Sequence, residues 1–262
     1  MIKICFAQHA GQPLFDQQDA VLINQEVRQQ RDVVDSLGLA EGTDLLLAVA
    51  DGVSVSPAAA RASRLLLELL VHRMADHPLT PRHLLDGRML REVHQGFCSR
   101  LAVTRRTYGA ATTLAALNIC RDSAAILNCG DSRVYRIRQA GEGNTEWQQL
   151  SEDHTLLQAF RDEGIASEDE DYASLYNGLA HCLVADSEES DFAIHRQVVK
   201  VEPGDTFLLT TDGVHDTLGT AGLASLYNPA LTTRAQVLRW REAVLAAGSP
   251  DNLSLIFCRM PS

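Results

Sequence analysis

The chain reads as an α+β fold built on antiparallel strands, and three features of the sequence predict this. First, the β-prone apolar runs 111–119, 124–128 and 134–138 follow one another with only a few residues between them. Such short connections join antiparallel neighbours, because a parallel crossover needs about a dozen residues or more. Second, helical patterning occupies the separate stretches 57–74, 82–101 and 233–246. Third, two buried-type strands stop abruptly at Asp51-Gly52 and Asp212-Gly213. An aspartate at the tip of a buried strand is held rigidly, and the glycine after it lets the chain turn.

Taken in order, residues 1–6 form a strand, too short in its apolar run and without the cleavage pattern of a signal peptide. A polar, turn-rich stretch follows to Asp19, then a short strand at 20–24. Residues 25–43 are mostly polar and read as a long loop or hairpin extension. The run 45–50 is wholly apolar and predicts a buried strand. Ser56 is placed to cap a helix with Pro57 at its first position, and Leu65, Leu66, Leu69 and Leu70 form its apolar face. The second helix, 82–101, carries Leu84, Leu85, Leu90, Val93 and Phe97 between solvated basic residues. After the three close strands, Asp153 can cap a helix over 154–163. The segment 163–191 holds the acidic run Glu168-Asp169-Glu170-Asp171 and a second acidic cluster, which predicts a solvated surface insertion. Strands at 193–201, 206–211 and 253–258 flank the last helix. With 262 residues and neither a composition break nor a repeat, one domain spanning 1–262 is expected.

Composition narrows the function. A formal charge of −11 disfavours a nucleic-acid backbone as partner. No apolar run reaches the ~20 residues of a membrane span, so a cytoplasmic protein is expected. The six cysteines are scattered without a Cys-x-x-Cys pair, and those inside strand runs act as small hydrophobes. There is no Gly-Lys dipeptide for a phosphate loop, no Gly-x-Ser-x-Gly elbow and no His-Glu-x-x-His helix.

What remains is carboxylate chemistry. Asp51, Asp131, Asp212 and Asp251 each end a strand or sit in the turn beside one, with Asp19 and Asp216 as possible additions. A single Asp-Gly after a strand is most often a hairpin turn. Several that converge would repel one another unless cations neutralise them. Hard divalent ions such as Mg²⁺ or Mn²⁺ take oxygen ligands and keep part of their water. A pair of such ions ~4 Å apart lowers the pKa of a shared water and withdraws charge from a phosphoryl oxygen.

Six ordered motifs carry a resemblance to a known family. They are Ala50-Asp51-Gly52-Val53-Ser54, Gly109-Ala110-Ala111-Thr112-Thr113-Leu114, Asn128-Cys129-Gly130-Asp131-Ser132-Arg133, Leu150-Ser151-Glu152-Asp153-His154-Thr155, Thr210-Thr211-Asp212-Gly213-Val214-His215-Asp216 and Ser249-Pro250-Asp251-Asn252-Leu253-Ser254. Together they resemble the type 2C (PPM) metal-dependent serine/threonine protein phosphatases, above all the compact bacterial ones. The resemblance implies a four-layer αββα sandwich, two antiparallel sheets flanked by helix pairs, with two metal ions and room for a third at one end. It implies that Asp51 bridges both ions and the Gly52 carbonyl completes one shell. Asp212 and Asp251 would hold the first ion, Asp131 with Asp212 a weaker third site, and Asp19 metal-held water. Catalysis would centre on Asp51 and Asp212, the insertion 163–191 would be the substrate-facing flap, and the partner would be a protein phosphorylated by a Ser/Thr kinase.

The N-terminal motif departs from the family pattern. Leu14 stands where an arginine would grip the substrate phosphate, and Gln18 where a glutamate would bind metal-held water. An Arg–phosphate contact of this kind is worth ~1.5–3 kcal/mol. His9, Arg61 and Arg64 are the cations placed to stand in; a strand-end role for His9 and a solvent-facing role for the arginines are the plainer readings. His215 reads as an exposed bystander. The leading expectation is a Mn²⁺/Mg²⁺-dependent phosphatase; the alternative is a pseudophosphatase that binds a phosphoprotein or kinase.

Overall fold

The structure is a computed structural model, and it describes residues 1–11, 16–76, 85–141, 144–167, 177–186 and 191–262. Five strands open the chain: β1 (Ile2–His9), β2 (Ala20–Ile23), β3 (Glu26–Arg28), β4 (Asp32–Leu39) and β5 (Leu45–Ala50). Helices α1 (Ala59–Asp76) and α2 (Gly87–Leu101) follow. Then come β6 (Ala111–Thr112), β7 (Leu114–Cys120), β8 (Ser123–Cys129), β9 (Arg133–Gln139) and β10 (Thr145–Gln149). The remainder is α3 (Leu156–Asp162), β11 (Leu183–Val184), β12 (His195–Lys200), β13 (Thr206–Thr210), α4 (Asp212–Leu226), α5 (Thr233–Ala246) and β14 (Leu253–Arg259).

Two six-stranded sheets form, in the orders β10-β9-β13-β14-β1-β4 and β12-β8-β7-β5-β2-β3, with β11 and β6 as a small separate ladder. Every pairing among them is antiparallel, as the short connections predict. Three apolar clusters stack the layers. Leu66, Leu70, Leu90, Val93 and Phe97 of α1 and α2 pack on the outer face of the β5 sheet. Phe6, Val49, Leu117, Phe207 and Ile256 fill the space between the sheets. Val214, Leu223, Val237 and Trp240 of α4 and α5 cover the other sheet against Phe257. The order of layers is therefore helices, sheet, sheet, helices.

The structure corrects several local expectations. Residues 25–43 contain β3 and β4, and β4 pairs along its whole length with β1. Its mixed exposure hides the period-2 signal that would have marked a strand. Helix α1 starts at Ala59, because Ser56 Oγ accepts from the Ala111 amide (3.0 Å) instead of capping the helix. Asp86 caps α2, accepting from the Met89 amide at 2.8 Å; the expected start at Arg82 lies outside the described residues. Thr155, not Asp153, caps α3. Helix α4 carries no clear sequence signal: Gly213, Gly219 and Gly222 interrupt it, and the chain kinks at Gly219 (φ 65°, ψ 165°). Packing of Val214 and Leu223 against α5 and the sheet holds it. All six cysteines are free. No helix among the described residues is long and apolar enough to cross a membrane.

Candidate metal centre

Antiparallel strands that lie side by side bring their chain reversals to shared ends, and this is how distant aspartates meet. Asp51 follows β5, Asp131 follows β8, Asp212 opens α4 directly after β13, Asp19 precedes β2 and Asp251 precedes β14. The backbone around Asp51 is pinned by the Thr112–Thr113 corner. Thr113 Oγ1 accepts from the Asp51 amide (3.0 Å), and the Asp51 carbonyl accepts from Thr112 Oγ1 (2.8 Å) and the Thr113 amide (2.9 Å).

Two glycines are dictated by close approach. A Cβ at Gly52 would collide with the Ala59 carbonyl at the start of α1, and one at Gly213 would collide with the Asn252 carbonyl. Gly213 thus lets α4 lie directly on the Asp251–Asn252 turn. The Asn252 side chain in turn accepts from the Gln18 amide at 2.5 Å, tying that turn to the residue before Asp19.

The carboxyl groups feel one another strongly. Burial first, then the charge of Asp212, holds Asp51 well above the usual carboxylate range. Asp131 is also raised well above it, by burial, Asp212 and Asp153. Burial and Asp212 push Asp19 up to about 7, against donation from Thr211 and Ser254. Asp212 rises to about 6, chiefly through burial, with Asp251 and Asp216 adding to it and Asp51 within hydrogen-bonding reach opposing it. Asp251 lies exposed at the rim, its Oδ1 accepting from the Asn252 amide (2.7 Å).

The donor set suits a hard dication. Asp19 Oδ1 and Asp131 Oδ1 are buried with no hydrogen-bond partner, and such oxygens are costly unless a cation or water satisfies them. Among the described residues no three His, Cys, Asp or Glu side chains already enclose a single point. An ion held here would therefore complete its shell with water, as Mg²⁺ and Mn²⁺ commonly do.

A family model described as Protein phosphatase 2C matches residues 25–248. This chain belongs to the protein phosphatase 2C family. It is 26% identical over 212 residues to the serine/threonine protein phosphatase PstP of Mycobacterium tuberculosis, covering 80% of this chain and 39% of PstP. The chain thus spans well under half the length of the curated relative it matches. Among solved structures it resembles the serine/threonine phosphatase Stp1 from Staphylococcus aureus, with a TM-score of 0.81, 20% identity, and 100% and 96% of the two chains covered. It also resembles the catalytic domain of PstP in complex with two manganese ions, with a TM-score of 0.72, 22% identity and both chains covered in full. At these identities the structural likenesses show the fold.

Set in the protein phosphatase 2C fold, the remaining predicted residues divide clearly. Arg61 is exposed on the first turn of α1, and Arg64 beside it pairs with Glu68 at 2.8 Å. His9 ends β1 with Arg241 and Asp32 as its charged neighbours, on the side of α5. His215 is buried, contrary to its expected exposure: its Nδ1 meets Thr210 Oγ1 at 2.9 Å, and burial keeps its ring neutral. Leu14 lies outside the described residues, as do 168–176 and 187–190 of the acidic insertion.

Sequence reasoning missed the groups that brace the aspartates. Arg133 grips Asp153 through Nε (2.9 Å) and Nη2 (2.5 Å) and donates to Tyr135 Oη (3.1 Å). That guanidinium also opposes the upward push on Asp216. The signal was present: Arg133 lies two residues after Asp131, inside a quoted motif, and an arginine beside clustered carboxylates is a natural counter-charge.

Proposed function

We propose that this member of the protein phosphatase 2C family hydrolyses phosphoserine and phosphothreonine on protein substrates with the help of Mn²⁺ or Mg²⁺. The observation that carries this reading is the set of raised, mutually repelling carboxyl groups, Asp19, Asp51, Asp131 and Asp212, brought together from separate strand ends. A carboxylate cluster of this kind is stable in its ionised form only with positive charge among its members. When bound, dications at this position supply electrostatic stabilisation of a phosphoryl group and acidify water.

The chain's own residues then divide the work. Asp51 has Asp212, Asp19 and Asp131 as its charged neighbours, with Asp212 within hydrogen-bonding reach, so it would be the carboxylate shared between two ions, with the Gly52 carbonyl beside it as a further oxygen ligand. Gly213 brings Asp212 close to the Asp251–Asn252 turn, and Asp212 with Asp251 would hold the first ion; Asp131 with Asp212 would hold a weaker third. Asp19 sits behind them as a holder of water. His9 and Arg61 are the candidates for phosphate contact, Arg61 the better placed because α1 begins against Gly52. Residues 1–262 act as one domain, and the substrate is a cytoplasmic phosphoprotein produced by a Ser/Thr kinase.

A second reading, a pseudophosphatase that binds a phosphoprotein or kinase, draws on Leu14 and Gln18. Titration calorimetry with Mn²⁺, followed by assay of a phosphothreonine peptide, separates the two. Metal binding with release of phosphate is expected, and both should vanish in Asp51→Asn. Metal binding without turnover would select the pseudophosphatase, and no binding at millimolar Mn²⁺ would sink the metal-centre reading.

A further inference from the structure

Behind Asp19 lies a chain of buried polar side chains that the motifs do not explain. Gln8 on β1, Asp19, Thr211 and Ser254 on β14 are all wholly inaccessible to solvent. Gln8 stands directly opposite Ser254 in the β1–β14 ladder. Its Nε2 donates to the Asp19 carbonyl and to Ser254 Oγ, both at 3.2 Å, while its Oε1 accepts from the Gln30 amide (3.1 Å). The Ser254 amide donates to Thr211 Oγ1 (3.1 Å), and the Thr211 amide donates back to the Ser254 carbonyl (3.0 Å). Thr211 Oγ1 then lies 2.8 Å from Asp19 Oδ2.

One arrangement of donors uses the shortest contacts and serves every member of this chain. A hydroxyl has one proton. A backbone amide already points at Thr211 Oγ1, so the hydroxyl proton goes to Asp19 Oδ2 at 2.8 Å in preference to the Ser254 carbonyl, which lies farther off at 3.4 Å. The same logic holds one step back: Gln8 Nε2 points at Ser254 Oγ, leaving the serine proton for another acceptor, and the serine also faces Asp19. Asp19 Oδ2 is thereby fixed, and Oδ1 is left buried without a partner.

We propose that Thr211, supported by Ser254 and Gln8, is a positioning residue that orients the Asp19 carboxylate so that Oδ1 alone is presented to the metal centre. This rests on the reading of the site as a dication centre. A neutral buried cluster that merely joined β1, β14 and the turn before α4 would need no such ordered direction of donors. Residues behind a metal site typically change metal affinity by about 10- to 100-fold when removed.

The experiment compares Thr211→Val, which keeps the shape and removes the donor, with Thr211→Ser, which keeps the donor. Mn²⁺ affinity is read by titration calorimetry, and the metal-free melting temperature is read alongside. The expected result is Mn²⁺ affinity weakened about 10- to 100-fold in Thr211→Val, recovery in Thr211→Ser, and a rise in KM or in Mn²⁺ requirement larger than the fall in kcat. A folded Thr211→Val that binds Mn²⁺ like the unmodified chain overturns the proposal. Should that variant fail to fold, Ser254→Ala and Gln8→Met carry the same test, and unmodified Mn²⁺ affinity in either folded variant overturns it equally. If the unmodified chain binds no Mn²⁺, the dication reading itself has failed, and that outcome is distinct from the others.

Discussion

Removing metal from this protein should make its stability fall as pH rises, and Asp212 shows by how much. Its carboxyl is moved from an ordinary value of 3.8 to about 6 in the folded chain, mainly by burial. Below pH ~3 the group is protonated both folded and unfolded, so it contributes nothing. Between pH ~4 and ~6 the unfolded chain releases the proton while the folded chain retains it, so folding becomes less favourable with each step in pH. Above pH ~6 the full cost is present, on the order of 3 kcal/mol at ~1.4 kcal/mol per tenfold change in proton affinity. Asp19, pushed up to about 7, acts in the same direction. Asp212→Asn removes the ionisation. The variant should therefore approach the unmodified chain near pH ~3.5 and exceed it at pH ~8. For a chain of this size the gain is roughly 5–10 °C in melting temperature. The assay is thermal or urea unfolding in chelator across that range, repeated with millimolar Mn²⁺, which should remove most of the difference. Parallel pH profiles for the two proteins would refute the reasoning, as would an unmodified metal-free chain that grows more stable from pH 5 to pH 8.

Three further outcomes are expected. Asp51→Asn should lower Mn²⁺ affinity and phosphopeptide turnover by at least about 100-fold while the metal-free fold persists, measured by calorimetry and circular dichroism. Gly213→Ala places a methyl group onto the Asn252 carbonyl; the turn carrying Asp251 must then shift, which should weaken Mn²⁺ binding about tenfold or more. Trp240→Ala empties a fully buried site where the indole donates to the Leu223 carbonyl at 3.0 Å. It should cost about 3–5 kcal/mol in urea unfolding, with Mn²⁺ affinity intact in the protein that remains folded.

By itself the sequence determined the parts whose cause is local. Apolar runs announce β5, β8, β13 and β14, and leucine periodicity announces α1. Aspartates at strand tips announce a carboxylate centre, because few roles other than a turn or an ion place that residue type at such points. Tertiary structure decided what depends on partners distant in the chain. The edge strand β4 exists because β1 pairs with it, not because its own alternation is strong. Helix α4 survives three glycines because α5 and the sheet cover Val214 and Leu223. His215 is taken from solvent by the same packing. Gln8 and Ser254 stand 246 positions apart, and only the β1–β14 register sets them side by side behind Asp19. Periodicity records which face of an element is buried; which polar side chain waits on the neighbouring strand is fixed by register, and register is a property of the assembled sheet.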